Sequence, residues 1–463
     1  MMATLQPVMG KSPDEVRKVL DRLEAGLENK VAIPTSECDE ALTSLHLYTR
    51  TIRNPSSDPL TTRRGLSIVG RYAFDKDDVP LGTSRIAARC LNNIIVLAEP
   101  MRQVFVDEQY PQKVIERLKK GDPEDELACS NLLLFSSAQT TLDLGPSFED
   151  GGLAELINNN VSRHARVDKP PSSDPAQPSI ATLKLLSTLA VRFKDHAHRF
   201  IPSVQPILNI LEKLPIPSDP MQLPVSLLVG CLASIPIYDQ SRKGTSFPIS
   251  SVTKMVDIVD ASLKAYAGKA SEMNLLTPVV ALLHITQAVD TDSPAQKRLQ
   301  ELLLPSDEDR QQVLGKGTTL PHRILKFASN SMSPELREPT LSILFELSGK
   351  DPRKFVQNVG FGNAAGYLTT KGINVSQEDM GADASGADEA PVNPITGQRI
   401  DMESQPDLPQ MTTEEKEREA ERLFVLFERL RATGVVNVEN PAARAAEMPD
   451  VEEVDSSDDE KNK

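Results

Sequence analysis

Residues 87–98 read AARCLNNIIVLA, an apolar block with the periodicity of a helix. Leu91, Ile94, Ile95 and Ala98 follow the i, i+3, i+4, i+7 spacing, which places all four on one face of an α-helix. The rest of the block is also mainly apolar, as expected for a helix that packs between neighbours. The block therefore predicts a buried helix in an all-α protein.

Leu-rich blocks of the same kind recur along the chain. Successive blocks start 46, 43, 52, 44, 52 and 62 residues apart, and most of these intervals are close to the roughly 40–47-residue unit of armadillo and HEAT repeats. We therefore expect an armadillo/HEAT-like helical-repeat superhelix over residues 1–372. An ordinary all-helical globule, in which the blocks are simply buried helices, is the alternative. The blocks begin at Ala41, Ala87, Ser130, Thr182, Ser226, Pro278 and Thr340.

The composition also favours helices. Hydrophobic residues make up 39% of the 463 residues, but aromatic residues only 4%, and there is no Trp. A core built from Leu, Ile, Val and Ala is more typical of helices than of a sandwich or barrel. The four cysteines form no Cys-x-x-Cys pair, and neither a signal peptide nor a run of about 18 apolar residues occurs. These features predict a reduced, cytosolic protein without stable membrane insertion.

The net charge of −15 is unevenly distributed. Residues 376–408 carry a balance of −7 and residues 447–463 a balance of −6, so the rest of the chain is nearly neutral. Proteins that bind nucleic acid usually carry a strongly basic surface, and nucleic acid is therefore not an expected partner.

Beyond residue 372 the composition changes to Gly, Ala, Asp, Pro and Ser, which predicts an acidic disordered linker over residues 373–410. An amphipathic helix is predicted at residues 411–434, because a capping box begins it and a glycine ends it. An acidic disordered tail is expected at residues 435–463. The apolar stripe of the helix must bind either the helical repeats or a partner. It includes Leu423, Phe424 and Phe427.

No signature of bond chemistry occurs. Residues 314–319, LGKGTT, resemble a phosphate-binding P-loop, but Arg310 stands where a glycine is required and Gly317 where a Ser or Thr should follow the lysine. His196 and His198 would point to different sides of a helix, without a cluster of further ligands, which argues against a metal site. We therefore expect no catalytic residue, no metal and no cofactor.

Helical-repeat proteins present a long groove that holds an extended peptide or a helix of another protein. Polar residues that interrupt the apolar helices are the expected groove contacts. Asn93 is the strongest candidate, because a side-chain amide can satisfy a donor and an acceptor of a partner's backbone together. The candidates are Arg50, Arg89, Asn93, Lys184, Thr188 and Ser234.

Two motifs toward the C-terminus resemble a known family. The stretch FVQNVGFGNAAGYLTTKGI, residues 355–373, is similar to the Gly-Tyr-Gly-Asn-Ala-Ala-Gly-Leu-Leu signature of the synembryn family. NPITG at residues 393–397, followed by MTTEEKEREAERLFVLFERL, resembles the family's Asn-Pro-Val-Thr-Gly motif and the run after it. Looser similarities at residues 89–94 and 275–283 extend the resemblance over most of the chain.

The resemblance implies a protein that binds alpha subunits of heterotrimeric G proteins, GDP-bound or nucleotide-free, promotes GDP release without covalent chemistry, and chaperones their folding. In family terms the groove takes the C-terminal helix of the alpha subunit. By matching motif positions this role carries to Arg50, Arg89 and Asn93, while His46 stands where animal members usually have an arginine. The helix at residues 411–434 is then a second clamp on the nucleotide-binding domain.

The acidic segments match the substrate pattern of an acidophilic kinase. Ser376 and Ser385 each have an aspartate three residues later. Synembryns resemble this arrangement in carrying phosphorylated residues before the Asn-Pro-x-Thr-Gly motif, which implies phosphorylation at these two serines. Solvated linkers whose serines match by chance are the alternative.

A competing interpretation comes from a different functional class. An armadillo-type scaffold or transport adaptor would share the architecture without exchange activity. Importin-like proteins carry ladders of Trp and Asn along the groove, and this chain has no Trp. The resemblance therefore favours the exchange factor, which would be cytoplasmic and recruited to the plasma membrane through its partner.

Overall fold

The structure, a computed structural model, consists of two compact units, Met1–Met402 and Glu403–Lys463. In the second unit only Glu403, Arg418 and Arg422 are described. The predicted helix at residues 411–434, apart from those two arginines, and the predicted tail therefore lie outside the described residues. The structure describes residues 12–76, 78–149, 152–168, 171, 174, 177–238, 246–330, 333–373, 392–393, 395–403, 418 and 422.

The first unit is built from α-helices, and several of the described connections contain 3-10 helices, such as Lys194–Ser203. The described residues contain no β-strand, only isolated bridge residues such as Val392 and Arg399, which confirms the all-α prediction. None of the described helices has the length and apolar character needed to span a bilayer. The helices are α1 (Pro13–Leu27), α2 (Thr35–Tyr48), α3 (Arg63–Phe74), α4 (Leu81–Leu97), α5 (Pro100–Asp107), α6 (Tyr110–Lys119), α7 (Pro123–Ser136), α8 (Gly145–Glu149), α9 (Leu153–Ala165), α10 (Pro178–Arg192), α11 (Val204–Lys213), α12 (Val225–Ser234), α13 (Ile249–Tyr266), α14 (Leu276–Ala288), α15 (Pro294–Leu303), α16 (Leu320–Asn330), α17 (Pro334–Leu347), α18 (Pro352–Val359) and α19 (Phe361–Thr370).

Seven of these helices form a row in which each packs against the next. The row consists of α2, α4, α7, α10, α12, α14 and α17, and we call it the seven-helix row. Each of the seven Leu-rich blocks lies in one of these helices, in order. The prediction of a helical-repeat superhelix is therefore confirmed for the described residues.

A second row of helices packs on one side of the first. It runs through α1, α3, α6, α9, α11 and α13 and continues with α15 and α16, each helix contacting the next, and we call it the covering row. Helices of the covering row also pack against their neighbours in the seven-helix row, as α3 does on α4 and α13 on α14. This two-layer arrangement leaves the other side of the seven-helix row uncovered.

A continuous apolar core fills the space between the rows. Leu91, Ile94 and Ile95 of α4 are fully buried, as their spacing predicts. Proline occupies the first turn of many helices, among them α7 and α10, where its missing N–H removes no intrahelical hydrogen bond. The Leu-rich blocks are thus buried within helices, many of which begin with proline.

Part of the predicted acidic linker contacts the end of the helical repeats through residues 393–399, which we call the anchoring turn. The buried guanidinium of Arg310 donates to Gly397 O over 3.1 Å and to Gln357 O over 3.0 Å. The carbonyl of Arg310 in turn accepts from Arg399 N over 2.8 Å. The domain boundary at residue 372 stays a prediction.

Two glycines allow the anchoring turn to approach so closely. Gly397 has a φ of 69°, and a Cβ there would lie 2.3 Å from Leu314 Cδ1. Gly360, just before α19, has a φ of 80°, and its Cβ would lie 2.9 Å from Ile395 O. Left-handed backbone and crowding together exclude larger residues at both positions. The Asn-Pro-Ile-Thr-Gly motif and the motif around Gly360 thus pack against each other.

Candidate protein-binding surface

From α2 to α14, the side of the seven-helix row that faces away from the covering row is open to solvent, whereas on α17 Ser342 and Phe345 contact Tyr367 of α19. Each helix, or the turn after it, contributes three exposed or half-buried residues at the spacing i, i+4, i+7, so the three lie on one helix face. We call this surface the open face. In helix order its residues are Thr43, Leu47 and Arg50; Arg89, Asn93 and Val96; Leu127, Asn131 and Leu134; Lys184, Thr188 and Val191; Ser226, Gly230 and Ala233; Leu276, Val280 and Leu283; and Glu338, Ser342 and Phe345.

Charge on the open face is asymmetric. Arg50, Arg89 and Lys184 all belong to the first four helices, whereas Glu338 belongs to the last. Glu338 is moreover paired with Lys371, with 2.6 Å between Oε1 and Nζ. In a chain of net charge −15, the first half of the open face is therefore a local basic surface. Such a surface favours an acidic ligand.

Three of the predicted contacts come together where α2 meets α4. Asn93 Nδ2 donates to Thr49 Oγ1 over 2.7 Å and lies 3.3 Å from Nδ1 of His46. The amide nitrogen of Asn93 is thus used inside the protein, across two successive repeats. Its Oδ1 has no hydrogen-bond partner among the described residues and remains an acceptor for a ligand.

The pKa of His46 reflects the positive charges around the point where α2 meets α4. Burial of the imidazole lowers its pKa, and the positive charges of Arg50 and Arg89 lower it further. A hydrogen bond to the backbone of Arg89 acts in the opposite direction but is a weaker influence. The ring is therefore neutral at neutral pH. Two arginines stand beside an uncharged histidine, and no carboxylate of the described residues forms an ion pair with them.

The guanidiniums of Arg50 and Arg89 are exposed, and neither forms a hydrogen bond or ion pair with the described residues. Other arginines of this protein behave differently: Arg85, on the same helix as Arg89, pairs with Asp122, Glu124 and Asp125. A guanidinium presents a planar fork of donors that matches a carboxylate. Arg50 and Arg89 are thus available to an external anion.

The remaining predicted contacts lie further along the row. Lys184 and Thr188 are one turn apart on α10, and α7 separates them from the cluster on α2 and α4. Ser234, at the end of α12, is half-buried beside the open face and donates its hydroxyl to Cys231 O over 2.9 Å. The structure therefore groups Arg50, Arg89 and Asn93 and places the others at a distance. Five predicted site residues lie outside the described residues: Ser376, Ser385, Leu423, Phe424 and Phe427.

The open face also carries apolar side chains that the sequence analysis did not assign to it. Val96 is 45% exposed and Val191 is 59% exposed. Each follows a predicted polar contact by three residues, Val96 after Asn93 and Val191 after Thr188, and so lies on the same helix face. This spacing is the signal that could have identified them. The surface therefore suits a ligand that combines apolar and negatively charged groups.

The P-loop-like sequence at residues 314–319 has a packing role in the structure. His322 is fully buried, its Nε2 donates to Asp309 O over 3.1 Å, and its Nδ1 accepts from Gly315 N over 3.0 Å. A Cβ at Gly317 would lie 2.4 Å from this ring, so the glycine is required by packing. The described residues also include no cluster of three or more His, Cys, Asp or Glu placed to hold a metal ion.

The family model described as guanine nucleotide exchange factor synembryn matches residues 41–449 of this chain. The match begins within α2 and extends past α19, so it includes every residue of the open face. It also includes the anchoring turn.

Named relatives are similar over shorter stretches. A synembryn-like chaperone of Schizosaccharomyces pombe is 28% identical over 189 residues, which is 38% of this chain and 35% of the relative. Chaperone Ric-8A of Macaca fascicularis is 27% identical over 170 residues, 35% of this chain and 31% of the relative. Chaperone Ric-8 of Drosophila pseudoobscura pseudoobscura is 27% identical over 199 residues, 41% of this chain and 35% of the relative. The matched stretch is thus about a third of each relative's length.

Proposed function

The chain belongs to the family of the guanine nucleotide exchange factor synembryn, and from this premise we propose that it binds the alpha subunit of a heterotrimeric G protein. The proposal has two linked parts: chaperoning the folding of the alpha subunit, and promoting release of its GDP without covalent chemistry. The names of the relatives, which are chaperones, support the first part. The description of the family supports the second.

The unpaired guanidiniums of Arg50 and Arg89 are the observation that carries this proposal. The C-terminal helix of an alpha subunit would bring its negative end to them, because the last carbonyls of a helix carry partial negative charge and the chain terminus adds a carboxylate. Asn93 Oδ1 would accept a hydrogen bond from a side-chain donor of the same helix. The specificity of the contact thus comes from charge and from one amide.

Apolar contacts would supply the remaining binding energy. Three successive helices of the row each place an apolar side chain among the polar residues of the open face. These side chains are Val96, Leu134 and Val191. An amphipathic helix laid across them would bury its apolar side chains there, in the manner of other helix-in-groove complexes. Lys184 and Thr188 would contact its polar edge.

Capture of the helix would be coupled to nucleotide release by linkage. If the C-terminal helix supports the guanine pocket in the free subunit, a protein that holds this helix in another position favours the state of the subunit with low GDP affinity. The segment at residues 411–434, with Leu423, Phe424 and Phe427, would hold the nucleotide-binding domain as a second clamp. The same preference explains chaperoning, since a protein that binds the nucleotide-free subunit stabilises it against unfolding.

Release of fluorescent GDP from a purified alpha subunit tests the proposal. We expect faster release in the presence of this protein and a smaller effect when Arg50 and Asn93 are both replaced by alanine. Lys297→Ala, at an exposed lysine of α15 outside the open face, is the control. Binding of the alpha subunit without faster release would assign the protein to the scaffold or adaptor class instead.

A further inference from the structure

A cavity of about 470 Å³ lies between α16, α17 and α19, at the opposite end of the seven-helix row from Arg50. Its volume is within the range of about 300–1,000 Å³ that is usual for ligand sites. Leu341 and Tyr367 form an apolar part of its wall, and Ser329 and Asn363 a polar part. We call this cavity the α17/α19 groove.

Two glycines of α19 keep the groove open. Gly362 and Gly366 are one turn apart and both line it. A Cβ at Gly366 would have no atom within 4 Å, and a Cβ at Gly362 would meet only Ile395 O, at 3.4 Å. Neither position has the positive φ or the crowding that explains Gly360 and Gly397. Because glycine weakens a helix, its presence here points to a ligand that approaches the backbone of α19.

The charged groups around the groove leave one cation unpaired. Glu338 is neutralised by Lys371, with 2.6 Å between Oε1 and Nζ, and Ser329 Oγ donates to Asn363 Oδ1 over 2.7 Å. Arg337 lines the groove, is exposed, and forms no ion pair with the described residues. The groove therefore offers an apolar wall together with one free guanidinium.

We propose that the α17/α19 groove binds an acidic amphipathic helix of the alpha subunit, distinct from its C-terminal helix; this inference rests on the proposed function. The two glycines would let the helix backbone approach closely, as small residues do at helix crossings. Arg337 would pair with a carboxylate of that helix. Glu338, at the α17 end of the open face, also lines the groove.

Two substitutions test the groove without disturbing the core. Gly366→Leu fills it with a side chain that favours helix, so the melting temperature should stay unchanged or rise. Arg337→Glu reverses the charge. Each should weaken binding of the intact alpha subunit about tenfold or more, because a hydrogen bond to a charged group or a packed contact is lost. Binding of a synthetic peptide of the alpha C-terminal helix should not change.

The controls add the same bulk and the same charge elsewhere. Thr369→Leu lies on α19 but outside the groove, and Lys297→Glu lies on α15. Both should bind the intact subunit like the wild type.

Unchanged affinity of the two groove variants for the intact subunit would overturn the inference, and so would an equal loss for subunit and peptide. Tighter binding of the intact subunit by the two groove variants would mean that the acidic residues 374–391 of this chain compete for the groove. That result would overturn the inference. If the wild-type protein is a dimer and Gly366→Leu dissociates it, the groove binds a second copy of this chain, and the inference is overturned. A wild-type protein that binds neither subunit nor peptide would instead refute the proposed function itself, and the inference with it.

Discussion

Asn93 connects two repeats and faces the open surface at the same time. Its Nδ2 donates to Thr49 on the preceding helix of the row, so the position of Oδ1 is fixed before any ligand arrives. A preorganised acceptor loses little conformational entropy on binding. In the proposed role, one amide within an apolar block would therefore both join two repeats and bind the ligand.

Replacing Arg50 by alanine should weaken alpha-subunit binding by about 1.5–3 kcal/mol, the usual value of a hydrogen bond to a charged group. The melting temperature should not change, because the guanidinium is exposed and pairs with no described residue. Calorimetric titration and thermal melting measure the two quantities. Arg64→Ala is the control, since that arginine is paired with Asp21 and Glu24. Wild-type affinity in Arg50→Ala would remove this residue from the site.

The titration of His46 provides a pH test. Burial and the nearby arginines lower its pKa in the folded protein below the ordinary value of 6.5. As the pH falls, the imidazole of the unfolded chain is therefore protonated before that of the folded protein. The neutral ring contributes its full stability above pH 6.5, and this contribution is lost as the pH falls below 6.5. Denaturation between pH 7 and pH 5 should show a smaller pH dependence in His46→Asn.

The same histidine should also respond to the partner. An acidic ligand on Arg50 and Arg89 would offset their charge and raise the pKa of His46. NMR titration of the ring with and without the peptide measures this directly. An unchanged midpoint in the saturated complex would place the negative charge of the ligand elsewhere.

The residue-scale predictions came from polar residues within apolar blocks, and the structure brings Arg50, Arg89 and Asn93 together. The hydrogen bond between Asn93 and Thr49 joins residues 44 positions apart, so it depends on how two repeats pack. Local periodicity does not contain that information. For the same reason, the unpaired state of the arginines could be established only from the fold.

At the scale of one helix, α4 offers a matched pair of substitutions. Leu91 is fully buried, and Leu91→Asp would place a carboxylate in the core at a cost of several kcal/mol, about 3 or more. Val96→Asp makes a similar change at a side chain that is 45% exposed, and it should be tolerated. Chemical denaturation should show a large loss of stability only for Leu91→Asp. Equal stability of the two variants would contradict the assignment of the α4 faces.

A second pair of substitutions tests the contact that holds the anchoring turn. Gly397→Ala would force a Cβ into Leu314 and should loosen the turn. Gly372→Ala is the matched control, because Gly372 has the same φ of 69° but open space around it. Hydrogen exchange at the amide of Arg399, which donates to Arg310 O, should accelerate in Gly397→Ala only. Equal acceleration in both variants would show that backbone strain, and not the contact, is responsible.

For the whole molecule, the intervals between Leu-rich blocks predicted a helical-repeat superhelix correctly, and each block lies in one helix of the seven-helix row. Each of the five inner blocks is apolar on more than one face because it packs against two neighbours of its own row as well as the covering row. The anchoring turn did not follow from such periodicity, because its described residues form no regular helix. They contact the helical repeats through hydrogen bonds to backbone groups, such as Arg399 N to Arg310 O and the Arg310 side chain to Gly397 O. Its polar composition is typical of a linker, and only the paired glycines indicate a contact.

Deleting residues 411–463 tests which functions require this segment of the second unit. The buried core of the described residues ends at Leu368, so the deletion should leave the melting temperature within a few degrees of the wild type. Binding of the alpha C-terminal peptide should also persist, because the open face lies in the first unit. GDP release should nevertheless slow toward the unassisted rate, since the proposed second clamp is missing. Deletion of residues 435–463 alone is the control and should retain exchange. A large fall in melting temperature on the longer deletion would show that this segment stabilises the helical repeats, and unchanged exchange would show that the open face alone promotes GDP release.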